Sequence, residues 1–158
     1  MKAGSINEIK RELKDVSPVE LVELCLRLAR HKKENKELIT YLLFEAHNQE
    51  QYIKNVKEEI DNAFSKINIS NLYLAKKSLR KILRTSNKFI RFAASKATEV
   101  EILLHYCTNF KGLKKIWSKS TALTNLYNSQ LKKIESSVAA MHEDLQHDYL
   151  NELQRLKI

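Results

Sequence analysis

The chain has 158 residues and a net charge of +9, with 43% hydrophobic and 30% charged residues but only two glycines and one proline. Tight turns and phosphate-cradling loops draw on glycine and proline, so an all-β sandwich and a Gly-rich nucleotide-binding fold are excluded. The apolar content excludes a disordered chain, and the length suits one domain over residues 1–158 with a core that needs no disulfide or metal.

The expected elements are helices. Ser5-x-x-Glu8 is a capping box for a short helix to about Lys14. Ser17-Pro18-x-Glu20 places Ser at the N-cap, Pro at the first helical position and Glu at the third, and opens a helix to about His31. Its apolar residues, from Leu21 to Ala29, cover more than one stripe, as in a helix packed on several sides. The polar stretch Lys32–Lys36 reads as a link, and a second wide apolar helix runs from Leu38 to Ala46. This hairpin, Ser17 to Asn48, resembles a unit of the HEAT or armadillo type of helical repeat, which implies stacked helical layers.

A helix from about Glu50 to Ile67 carries Tyr52, Ile53, Val56, Ile60, Ala63 and Phe64 at helical spacing. Asn68-Ile69-Ser70-Asn71 interrupts it and offers N-caps for a helix from Leu72 to about Ala94. Thr98-x-x-Glu101 reads as the capping box of the next helix, with Gly112 as its C-cap. A short amphipathic piece holds Ile116 and Trp117. Residues 121–156 keep helical spacing without Gly or Pro, as one long helix or as two with a break near Met141. The expectation is an all-α fold of six to eight helices, an α-α superhelix or an irregular multi-helix bundle.

No apolar run reaches the roughly 20 residues of a membrane span, and no apolar signal region stands at the start. Cys25 and Cys107 both lie in apolar helical patterns and read as buried free thiols of a cytoplasmic protein. His142 and His147 are five apart, diverge on a helix and fail the metalloprotease spacing. No catalytic group, metal or cofactor is expected. An enzyme reading would need a pocket in which Glu101 and His105 meet a further polar group.

Charge is the informative feature. Residues 1–61 hold 11 Lys/Arg and 12 Asp/Glu, residues 62–134 hold 15 against 2, and residues 135–158 hold 2 against 5. On a helical wheel of Leu72–Lys96, the cations Lys76, Lys77, Arg80, Lys81, Arg84, Lys88 and Arg91 all fall within one 140° sector, opposite an apolar face. No acidic residue occurs from Asn62 to Thr98, so nothing within the helix neutralises the row. Glu45, Glu50, Glu58, Glu59 and Asp61 are the candidate internal counter-charges; failing them, the row points to an anionic partner. Nucleic acid and an acidic protein are the two main candidates, and a membrane surface is a third. Lys114 and Lys115 beside Trp117 add a second basic piece in which the indole could stack on a base. The alternative function is structural, with self-association into a homo-oligomer through Leu131, Ile134, Val138, Met141, Leu145 and Tyr149 of the C-terminal helix.

Overall fold

The computed structural model describes residues 2–157 and is all-α, with no strand among the described residues. Its contacts cluster into two compact units, Met1–Glu45 and Ala46–Ile158. The last turn of the first unit, Tyr41–Glu45, is π-helical.

The first unit holds α1 (Ile6–Leu13), α2 (Pro18–His31) and α3 (Lys33–Thr40). Ser5 and Ser17 form reciprocal capping boxes with Glu8 and Glu20, and these hydrogen bonds hold both carboxyls below the usual carboxylate range. The stretch expected to be a link is helical from Lys33, leaving only Lys32 as a break in extended conformation. Asn35 Nδ2 donates to the Leu28 carbonyl at 2.9 Å and so ties α3 back onto α2. Among the described residues of this unit Tyr41 is the only large apolar side chain that is buried.

The second unit holds α4 (Gln49–Ser65), α5 (Leu72–Ala93), α6 (Lys96–Gly112), α7 (Lys114–Trp117), α8 (Thr121–Ala139) and α9 (Glu143–Leu156). The described helices number nine, more than the six to eight expected, because short α1 and α7 stand alone and the C-terminal stretch divides. That break, at Ala140–His142, comes without Gly or Pro; the His142 side chain caps α9. α6 is the central element, packed on α4, α5, α8 and α9. It buries Val100, Ile102, Leu103, Leu104, Tyr106, Cys107 and Phe110, which cover more than half of its circumference, and leaves Glu101, His105 and Thr108 as a partly exposed polar stripe.

The polar groups of the core are matched. Tyr106 Oη donates to the Leu79 carbonyl (3.1 Å), Tyr127 Oη to Leu156 (2.8 Å), Tyr52 Oη to Phe89 (2.9 Å) and Trp117 Nε1 to Phe110 (2.7 Å). Each buries a large ring and pins two helices together, because a buried polar tip without a partner is costly. Among the described residues no buried side-chain polar atom lacks a partner.

Two capping expectations are corrected. Ser95, not Thr98, caps α6, and Thr98 lies buried in its first turn, with Glu99 rather than Glu101 beside it in that turn. The reason is Ala94, which takes a left-handed conformation (φ 48°), stops α5 and leaves Ser95 as the only residue between the two helices free to cap. Gly112 ends α6 without a positive φ.

A left-handed alanine costs roughly 1–2 kcal/mol that glycine does not incur. Ala94→Gly therefore raises the free energy of unfolding measured by urea titration, by about 0.5–1 kcal/mol after glycine's greater unfolded entropy is subtracted. Ile134→Ala, at a fully buried position, lowers it by about 2–5 kcal/mol. A fall in stability for Ala94→Gly would contradict the strained junction.

Candidate anion-binding face

α5 is capped by Asn71, whose side chain accepts from the Leu74 N–H at 3.1 Å, and runs for 22 residues. Ala75, Leu79, Ile82, Leu83, Ser86 and Ile90 turn inward, and α4 and α6 cover that side. The packing fixes the helix about its axis, so the cationic sector is carried outward. Lys77, Arg80, Lys81, Arg84 and Arg91 are exposed, while Lys76 and Lys88 are half-buried.

None of Lys76, Lys77, Arg80, Lys81 and Arg84 has a carboxylate within ion-pair distance among the described residues. The carboxylates of the second unit with ion-pair partners are engaged elsewhere. Asp61 faces His105 Nε2 (2.6 Å) and Asn109 Nδ2 (2.8 Å), and Glu101 faces Lys57 Nζ (2.7 Å). Glu50, Glu58 and Glu59 form no ion pair. The row changes character towards its C-terminal end: Lys88 Nζ lies 4.9 Å from the Phe89 ring centroid and 5.9 Å from that of Phe92, and Lys88 and Arg91 each have further interactions within the fold.

The second basic piece divides. Lys114 and Lys115 are exposed on the single turn of α7. Trp117 is 2% exposed, stacked on Tyr127 (5.0 Å) and edge-on to Phe110 (5.2 Å). The indole is a core ring, which corrects its assignment as a stacking platform; its neighbours come from α6 and α8, and the local sequence carries no sign of them. The nearby Lys111 Nζ donates to the Arg155 carbonyl near the end of α9.

Two features escaped the sequence reading. A cleft of about 290 Å³ runs beside α5, floored by Ile60, Ala63, Ile82 and Phe89 and edged by Lys81 and Glu59. A second, polar cleft of about 260 Å³ brings Glu101 and His105 together with Lys57, Thr108, Tyr149 and Glu152. It meets the geometric condition set for the enzyme reading, but Glu101 and His105 are held by Lys57 and Asp61. No metal-binding group of three or more His, Cys, Asp or Glu occurs among the described residues. Cys107 is buried and its thiol is pushed up to about 12 by that burial, while Cys25, expected to be buried, is exposed because nothing covers that side of α2.

The acidic counterpart to the open face is Glu99. Burial alone would push its carboxyl up, but hydrogen bonds from Lys96 (2.8 Å), Lys133 and Ser137 (2.9 Å), with the charge of Lys133 at 3.0 Å, hold it below its usual range. Comparison with protein-family models, curated proteins and solved structures found no match.

Because the folded value for Glu99 lies below the unfolded one, its stabilisation is present above about pH 4.5 and drains away as the pH falls through and below that value. The urea midpoint of the native chain therefore falls more steeply in acid than that of Glu99→Gln, which loses the ionisation. Parallel pH curves for the two proteins would refute the assignment.

Proposed function

We propose that this chain is a non-enzymatic helical binding module whose α5 face holds the phosphate backbone of a nucleic acid. The observation that carries the reading is the set of five cations, Lys76, Lys77, Arg80, Lys81 and Arg84, held on one side of a packed helix with no carboxylate against them. Like charges at this spacing destabilise a helix by a few tenths of a kcal/mol per pair, a cost an anionic ligand reverses. Exposed Lys114 and Lys115 are further candidates for phosphate contact. With Trp117 enclosed in the core, no aromatic of the proposed set is left for base stacking, so contact runs through the backbone and is not sequence-specific.

An acidic protein segment is the second reading, favoured by the apolar floor beside Lys81: Ile60, Ala63, Ile82 and Phe89 would take the apolar side of an acidic helix. Among the described residues no helix is long and apolar enough to cross a membrane. A reducing, cytoplasmic setting agrees with two unpaired cysteines.

Fluorescence anisotropy with labelled duplex DNA and RNA over a salt series tests the proposal. Engagement of all five cations on DNA gives a log–log salt slope of about −4.5, and Arg80→Ala with Arg84→Ala flattens it by about 2 while weakening all sequences alike. Absence of salt-dependent binding to either nucleic acid near physiological ionic strength removes the reading, and binding of an acidic amphipathic peptide in its place supports the second one.

A further inference from the structure

The unit Met1–Glu45 is short of a core. Among its described residues eleven large apolar side chains are at least 39% exposed, against Tyr41 alone buried. Units near or below about 40 residues usually need a disulfide, a metal or oligomerisation to stand. Cys25 and Cys107 are both free, and no metal-binding cluster occurs among the described residues. Oligomerisation is the third such device. We propose that α2 and α3 are a dimerisation element, covered by the same hairpin of a second copy of this chain in an antiparallel four-helix arrangement.

Two observations favour a second copy over other occupants. The first is charge. Residues 1–45 hold 9 Lys/Arg against 8 Asp/Glu, a net of +1, while the rest of the chain carries the other +8. Two copies therefore meet through this unit without the repulsion they would meet elsewhere.

The second is self-complementarity. α2 carries Glu20 and Glu23 in its N-terminal half and Arg27 and Arg30 in its C-terminal half. Val19, Val22 and Leu26, all exposed, share one flank of the helix within a 60° sector, bordered by Glu23 and Arg30. An antiparallel two-fold with Leu26 near the axis sets Glu23 of each copy opposite Arg30 of the other, with Val22 and Leu26 enclosed between them. This is the reciprocal contact that an isologous interface requires.

Of the C-terminal candidates for self-association, Leu131, Ile134 and Val138 are buried within the second unit, whereas Leu145 is 49% exposed and Met141 and Tyr149 are half-buried.

Sedimentation equilibrium of the full chain at physiological salt is the test. The expected result is the mass of a dimer at concentrations up to about 100 μM, where a micromolar complex is nearly fully formed. Leu26→Glu, at a site already exposed in the single chain, weakens association at least tenfold and leaves helical content unchanged. Glu23→Arg and Arg30→Glu each weaken it, and the double variant restores it, a rescue that mere damage to the hairpin does not produce. A monomer throughout that range, a dimer indifferent to Leu26→Glu, or failure of the double variant to recover overturns the proposal. Binding of this unit to lipid vesicles with no dimer in solution overturns it as well.

Discussion

The enclosure of α6 is the constraint on which the second unit depends. A helix apolar over more than half of its circumference has only a narrow polar stripe to give to water, so it must be packed on several sides. α4, α5, α8 and α9 do this. The walls are also pinned by hydroxyls: Tyr106 reaches from α6 to a carbonyl of α5, and Tyr127 from α8 to the end of α9. Displacing α5 from α6, or α9 from α8, breaks a buried hydrogen bond. The outward direction of the α5 cations is thus a by-product of core packing, since Ala75, Leu79, Ile82, Leu83, Ser86 and Ile90 on the other side of that helix are buried, and α4 and α6 pack on it.

The same enclosure sorts the charges. Glu99 is the one acidic side chain buried among the described residues, and it takes two lysines, Lys96 and Lys133, and the hydroxyl of Ser137. Desolvation makes an unpaired carboxylate there too costly, so counter-charges are drawn to it. The cations of α5 face water, where solvent and salt tolerate them singly. Opposite charges are abundant in the chain, yet the neutralisation offered by Glu50, Glu58, Glu59 and Asp61 does not reach the row, because Asp61 is turned to His105 and Asn109 on α6.

Much of this was legible in the sequence, and the limits have a physical pattern. The all-helical fold, the caps at Ser5, Ser17 and Asn71 and the division of α5 into charged and apolar sides follow from local rules, and each matches the structure. What failed was what depends on distant partners. Trp117 sits among lysines in sequence, but its packing neighbours are Phe110 and, ten residues on, Tyr127. Thr98 and Ser95 both carry cap chemistry, and a left-handed alanine decided between them. Cys25 lies in an apolar pattern, but periodicity says only which side prefers cover, not whether a cover is present. The polar meeting of Lys57, Glu101 and Tyr149 joins three helices and leaves no trace in any one of them.

Trp117 carries one last consequence. It is the sole indole of the chain, held against Tyr127 and Phe110 inside the second unit. Its emission therefore reports on the melting of that core and is silent about residues 1–45, whose ordering has to be followed by backbone signals such as circular dichroism or amide exchange. An unfolding curve taken by fluorescence alone describes only the larger half of this molecule.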